Sequence, residues 1–184
     1  MERDALPMQM SGVGYYGDFV VYCAIVVGLT ACALPAAHGW MLWEWLVALA
    51  AGTGAWTLIE YLLHRFALHG FPFLSQMHAG HHRAPRALIG TPSWISVLVL
   101  FGVVFLPAWR AGSLAVACGL TAGVAGGYVW YGIVHHVIHH RRPRPLAVRL
   151  VGLVHYHLRH HYATRPGNFG VSTPFWDRVF GTRL

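Results

Sequence analysis

Four long, nearly uncharged stretches place the strongest constraint on what this 184-residue chain can fold into. A helix of about 20 apolar residues spans a bilayer core, and lipid tolerates no unpaired backbone polar groups. Only 10% of the residues are charged, whereas soluble domains average about 25%. We therefore predict an all-α membrane protein, a single membrane domain over residues 19–184 with four transmembrane helices in two hairpins. The predicted spans are residues 19–37, 41–63, 93–109 and 111–134.

The arginines predict how these spans are oriented. Three of the thirteen lie in residues 64–92 and eight in residues 141–184, whereas Arg110 lies in the link on the opposite side. Cytoplasmic loops are enriched in basic residues, so both segments and both chain ends are predicted to be cytoplasmic. Residues 64–92 and 135–184 would form a cytosolic helical cap, and residues 1–18 a cytosolic N-terminal segment rather than a cleaved signal peptide. Because the arginines flank apolar spans, the net charge of +7 does not indicate a nucleic-acid partner.

Three glycines at four-residue spacing, Gly119, Gly123 and Gly127, lie in the fourth span. Small residues at this spacing let two helices approach closely in a membrane. We interpret them as a packing face inside the chain's own helix bundle in preference to a dimer interface, and the oligomeric state stays open. The three cysteines all lie in apolar stretches without metal-ligand spacing, so they are predicted to be small core residues.

Ten of the fourteen histidines fall into four short clusters. The clusters are His64 and His69; His78, His81 and His82; His135 and His139; and His157, His160 and His161. Imidazole is the commonest protein metal ligand, and ten imidazoles suit two metal ions better than one. Residues three or four apart share a helix face, so three clusters each point in one direction. His64 and His69 are about 140° apart on an ideal helix, so they converge only if the helix ends or bulges between them.

Two carboxylates are candidates for orienting these imidazoles. Glu60 lies four residues before His64, on the same helix face and within an apolar span, where a carboxylate is costly and usually functional. We expect it to accept the N–H of a ligand imidazole and so fix its tautomer. Asp177 either has the same role or forms a salt bridge with a nearby arginine. The other four histidines are interpreted as residues behind the ligands or on the surface: His38, His136, His140 and His155.

Four motifs of this chain resemble, in order, the histidine boxes of the membrane fatty acid hydroxylase superfamily, which includes sterol desaturases and oxidases. They are IEYLLHRFALH, HAGHH, YGIVHHVIHH and YHLRHHY, and the ending GNFGVSTPFWDRVFGT resembles the C-terminal stretch of the same superfamily. The resemblance runs from about Glu60 to Thr182. It is strongest to fatty acid 2-hydroxylases without the fused cytochrome b5 domain.

The resemblance implies two irons bound by the ten box histidines, with no catalytic side chain beyond these ligands. It implies O2-dependent insertion of oxygen into a C–H bond of a membrane lipid, with a fatty acyl chain hydroxylated at position 2 as the favoured case. Electrons would come from a separate donor, either cytochrome b5-like or ferredoxin-type, and zinc can replace iron in a purified sample. A desaturase, a methyl oxidase or a carotenoid hydroxylase would use the same dimetal site. From another class, a haem protein with two histidine ligands stays open, although its histidine pairs would be expected within the spans.

Overall fold

Helices make up nearly all of the regular structure in the computed structural model, which describes residues 9–33, 39–140 and 148–184. The α-helices are α1 (Gly12–Ala33), α2 (Trp40–Leu62), α3 (Pro72–Arg83), α4 (Ser93–Leu100), α5 (Leu106–Ala111), α6 (Leu114–His140), α7 (Val148–Tyr162) and α8 (Phe175–Val179). A π-helical segment, Leu63–Leu68, continues α2, and a second, Phe101–Phe105, joins α4 to α5. Within the described residues, β pairing is limited to one isolated bridge between Gln9 and Ile89.

Four helical stretches are long and apolar enough to cross a membrane, which confirms the prediction of an all-α integral membrane protein with four spans. They are Gly12–Ala33, Trp40–Leu68, Ser93–Ala111 and Leu114–His140. The first begins at Gly12, before the predicted start near residue 19, because the charge of Asp18 does not end the helix. The hydroxyls of Ser93 and Tyr128 each donate to the Asp18 carboxylate at 2.6 Å, so this acid is hydrogen-bonded where it lies. His38 lies outside the described residues.

The described residues form two compact units. One, called the span unit, consists of residues 12–33, 39–56 and 91–129. The other, called the histidine unit, consists of residues 9–11, 57–90, 130–140 and 148–184. All ten histidines of the predicted site belong to the histidine unit.

The span unit is held together by close packing of α6 against α2. A Cβ on Gly119 would lie 2.5 Å from the carbonyl oxygen of Trp45, and a Cβ on Gly123 would lie 2.7 Å from the backbone nitrogen of Thr53. Only glycine permits this approach, since such distances are below any van der Waals contact. The glycine spacing therefore packs two helices of the same chain, as the sequence indicated. Cys118 is buried beside this contact, in the core that includes Trp45, whereas Cys23 and Cys32 are exposed, so the prediction of core cysteines is wrong for these two.

A second apolar core lies in the histidine unit. Val134 and Ile138 of α6 and Val171 of the C-terminal segment are buried together. Leu153 and Leu158 of α7 pack against them. On α6 the core residues alternate with His135 and His139, so the packing that buries the apolar side chains also fixes where these imidazoles point.

Candidate metal centre

The π-helical segment after α2 brings His64 and His69 together. In a π-helix each N–H bonds to the carbonyl five residues back, so residues five apart lie near the same face. The two imidazoles stack with their centroids 5.4 Å apart and their planes 24° from parallel. The bulge that the five-residue spacing required is therefore present. In a regular α-helix these two side chains would diverge.

Nine of the ten predicted ligands form two groups, in each of which the potential ligand atoms lie within 4.8 Å of one another. The first cluster consists of His64, His69, His78 and His160. The second cluster consists of His81, His135, His139, His157 and His161. In the first cluster, the Nε2 atom of His64 lies 3.0 Å from the Nε2 atoms of both His78 and His160. In the second, the Nε2 atoms of His139 and His157 are 3.0 Å apart.

His82, the tenth predicted ligand, lies beside both clusters. Its Nε2 atom is 2.9 Å from that of His78 and 3.1 Å from that of His160, both in the first cluster. Its ring stacks on His161 of the second cluster with the centroids 4.1 Å apart. The structure thus brings all ten box histidines into one continuous set of imidazoles.

The hydrogen bonds of the first cluster leave lone pairs facing each other. Nδ1 of His64 donates to the carbonyl oxygen of Phe169 at 2.5 Å, and Nδ1 of His160 donates to that of Gly167 at 2.8 Å. A neutral imidazole carries one N–H, so both Nε2 atoms carry lone pairs instead. Two lone pairs that face each other repel unless a cation lies between them. Nitrogens bound to one ion at about 2.0–2.1 Å are about 2.9–3.4 Å apart, so the donor set fits a metal.

Burial keeps these imidazoles neutral. It lowers the pKa of His160 to about 4, although the hydrogen bond to the Gly167 carbonyl opposes this shift, and it lowers that of His81 to about 3. Neighbouring histidines make smaller contributions in the same direction as burial. Desolvation disfavours the charged imidazolium, so at neutral pH the ring nitrogens stay unprotonated. Neutral imidazole is the form that binds metal, so burial favours the ligand form of His160 in the first cluster and of His81 in the second.

The two candidate carboxylates hold the loop formed by residues 167–173. Glu60, 4% exposed, accepts the backbone N–H groups of Val171 and Ser172 at 2.6 and 2.8 Å, and a short bond from the Ser172 hydroxyl. Asp177, fully buried, accepts the N–H groups of Phe169 and Gly170 at 2.9 and 2.7 Å. Since the carbonyl of Phe169 accepts from His64, the link from each carboxylate to that histidine runs through the backbone of this loop.

The loop contributes groups to the site that were not predicted from the sequence. The carbonyls of Gly167 and Phe169 bond the imidazoles, and Asn168 between them has a φ of 56°. The ring of Phe169 is 5% exposed and lies 5.4 Å from that of His69 and 5.7 Å from that of His160, between centroids. A carbonyl has no residue-type signature, so the one signal was GNFG, where asparagine and glycine tolerate unusual backbone angles.

The remaining described histidines lie outside both clusters. His136 and His140 stack on each other with their centroids 4.5 Å apart. His155 is exposed on α7, near Arg159 and Tyr162. That these three histidines are not ligands stays a prediction.

Comparison with known proteins assigns the family. The sequence profile of the fatty acid hydroxylase family matches residues 49–182. The chain belongs to this family. It is 32% identical to the dihydroceramide fatty acyl 2-hydroxylase FAH2 of Arabidopsis thaliana, over 72% of this chain and 59% of the relative. It is 37% identical to the fatty acid 2-hydroxylase of Rattus norvegicus, over 70% of this chain and 37% of the relative. The chain therefore spans between about a third and three fifths of these two relatives.

A solved structure supports the same assignment for this member of the fatty acid hydroxylase family. Full-length scs7p, of which only the hydroxylase domain is visible, matches with a TM-score of 0.79 at 29% identity. The match covers 97% of this chain and 69% of that chain. The resemblance read from the four histidine motifs is confirmed.

Proposed function

We propose that this protein is an O2-dependent hydroxylase that inserts oxygen into a C–H bond of a membrane lipid, at position 2 of a fatty acyl chain. The observation that carries the proposal is the convergence of imidazole nitrogens in two clusters of a fatty acid hydroxylase family member. Relatives at 30 to 37% identity are fatty acid 2-hydroxylases, including ones that act on dihydroceramide. The acyl chain of a ceramide-type lipid is therefore the substrate class we favour.

The proposed ligands are the ten box histidines, five for each of two irons. His82 completes the first cluster, because its Nε2 atom lies within 3.1 Å of two members of that cluster. Imidazole suits iron, zinc and copper alike. We choose iron because cleaving an unactivated C–H bond requires a redox-active metal, which excludes zinc, and because the resemblance of the histidine motifs implies iron rather than copper.

The chain's own residues orient the ligands and exclude water. When bound, the metals supply the redox chemistry that activates O2 and breaks the C–H bond. The carbonyls of Gly167 and Phe169 hold the two imidazoles of His160 and His64 in one tautomer. The Phe169 ring covers the first cluster with an apolar surface. Glu60 and Asp177 keep the loop in place, so the protein contributes geometry and a dry site.

We further propose that the site faces the cytoplasm and takes electrons from a separate protein, either cytochrome b5-like or ferredoxin-type. The support for the first is the arginine distribution, since the four-span count leaves the two arginine-rich segments on one side. The support for the second is chemical, because hydroxylation by O2 consumes two electrons that the substrate does not supply.

The test is lipid mass spectrometry of cells that express the chain, with His160→Ala as the inactive control. We expect a new lipid species heavier by one oxygen atom, with the hydroxyl at carbon 2 of the acyl chain by fragmentation. A species that has lost two hydrogen atoms would instead indicate a desaturase. Oxygen found on a sterol or carotenoid would overturn the proposed substrate class and leave the metal site intact.

Absorption spectroscopy and elemental analysis test whether the histidines hold two metal ions or a haem. The clustering of all ten imidazoles favours a dimetal centre over a haem held between two histidines, which needs a separated ligand pair. We expect the purified protein to bind two metal ions per chain, measured by elemental analysis, and to have no Soret band. A Soret band with one iron per chain would overturn the dimetal proposal.

A further inference from the structure

Three consecutive residues orient two imidazoles of the first cluster. The carbonyl of Gly167 accepts from His160, and the carbonyl of Phe169 accepts from His64. Asn168, between them, has a left-handed φ of 56°. Residues other than glycine rarely adopt a left-handed φ, and Asn168 adopts it between the two carbonyls that bond the imidazoles. The conformation of Asn168 is therefore part of the specific backbone path that brings both flanking carbonyls to the same cluster.

Hydrogen bonds of the Asn168 side chain and of the loop backbone hold this conformation. Asn168 is fully buried, and its side chain donates to the carbonyl of Tyr156 at 3.1 Å and accepts from the backbone N–H of Leu184 at 2.8 Å. Its own N–H donates to the carbonyl of Thr182 at 3.0 Å. With the bonds to Asp177 and Glu60, every backbone N–H from Asn168 to Ser172 is paired. A loop with this many fixed groups holds its carbonyls rigidly.

The second cluster is built differently. Nδ1 of His157 and Nδ1 of His161 are both buried and have no hydrogen-bond partner among the described residues. No acceptor within this part of the chain therefore selects the tautomer of either ring. Outer partners of a ligand imidazole fix its orientation and raise its basicity, and their loss usually costs about 10- to 100-fold in metal affinity.

We propose that the 167–173 loop is a positioning device that makes the first cluster the tighter of two unequal metal sites, so that the sites fill in order. The inference rests on the proposed function only in that both clusters bind metal. Asn168 is a positioning residue, because it acts through the carbonyls on either side of it and through the two imidazoles that they hold.

The direct test is a titration of the metal-free protein with Co²⁺, followed by the absorption spectrum and by elemental analysis at graded free Co²⁺. We expect two binding steps, the first about 10- to 100-fold tighter than the second. Two steps of equal affinity would overturn the inference and leave the proposed dimetal function standing. Failure of the wild-type protein to bind Co²⁺ or any other metal would instead overturn the proposed function.

Two substitutions at one position separate backbone conformation from side-chain contacts. Asn168→Gly and Asn168→Val both lose the bonds to Tyr156 and Leu184, but only glycine adopts a φ near 56° without strain. We expect Asn168→Val to weaken the tighter step by about 10-fold or more and to leave the second step unchanged. Asn168→Gly should keep the two steps separated. Equal affinities in the two variants would overturn the role of the left-handed residue.

Asp177→Asn provides an independent variant in case Asn168→Val does not fold. The amide keeps the shape of the carboxylate but retains a single oxygen for the N–H groups of Phe169 and Gly170. We expect the tighter Co²⁺ step to weaken selectively. The matched control is Glu44→Gln, which alters a carboxylate of the span unit that accepts from the Ser113 hydroxyl at 2.9 Å. It should leave both steps unchanged, and an equal loss of both steps in Asp177→Asn would contradict the proposal.

Discussion

His160 is the imidazole on which the first cluster converges. Its Nε2 atom lies 3.0 Å from that of His64, 3.1 Å from that of His82 and 3.4 Å from that of His69. Its Nδ1 atom is held by the carbonyl of Gly167. One side chain therefore contributes both a ligand nitrogen and a fixed orientation.

We predict that His160→Ala removes at least one of the two metal ions per chain and abolishes hydroxylation. The reason is that the substitution deletes a ligand and leaves the buried carbonyl of Gly167 unpaired, which costs about 1–3 kcal/mol. Elemental analysis of the purified variant measures the first effect and lipid profiling the second. His155 is an exposed histidine on the same helix, and His155→Ala should retain both metals. Two metals retained in His160→Ala would remove it from the ligand set.

At the scale of single residues, the sequence predicted which imidazoles gather and left open which share an ion. Helical spacing puts His157, His160 and His161 on one face, yet the structure divides them between two clusters. That division depends on where α3 and α6 place their own histidines, which no local pattern encodes. The role of the Gly167 and Phe169 carbonyls could not be predicted from the sequence either. Every residue carries a carbonyl, and its direction is set only by the tertiary structure.

At the scale of elements, the π-helical segment Leu63–Leu68 is the local feature that converts a five-residue spacing into convergence. We predict that deletion of Phe66, an exposed residue, restores a regular helix in which the two histidines are four apart. Residues four apart still share a face, so metal binding should persist. Insertion of an alanine after Phe66 should separate them and remove metal from the first cluster. Elemental analysis of the two variants checks this, and equal metal contents would contradict it.

The close contact between α6 and α2 makes a second prediction about elements. Gly123→Ala should destabilise the protein by about 1–3 kcal/mol, because the added methyl overlaps the backbone of Leu49 and Thr53. Gly126→Ala is the matched control, since a Cβ there meets nothing within 4 Å. It should be neutral or more stable by up to about 1 kcal/mol, from helix propensity. Thermal unfolding in detergent measures the stability of both variants. Equal unfolding midpoints would contradict the prediction, because they would mean that α2 and α6 shift to accommodate the added methyl group.

Hydropathy located the helices better than it located their ends. A charged residue ends an apolar run in the sequence, so the first span was predicted to begin after Asp18, whereas α1 begins at Gly12. The partners that stabilise Asp18 are Ser93 and Tyr128, which lie 75 and 110 residues away along the chain. Hydrogen bonds between residues so far apart in the chain are set by tertiary structure, so a local window of sequence cannot predict them.

At the scale of the whole molecule, the arginine distribution predicts which membrane face carries the site. We test it with single cysteines in a background whose three native cysteines are replaced by alanine. Arg110→Cys and Arg165→Cys alter exposed residues that the proposed topology places on opposite sides. A membrane-impermeant maleimide should label Arg110→Cys in intact cells and Arg165→Cys only after permeabilisation. Because Arg165 lies between His160 and Gly167 in the chain, its label reports the side of the metal centre. The reverse pattern would put the site outside the cytoplasm, and labelling of both in intact cells would contradict a membrane crossing by Leu114–His140, the span that lies between them.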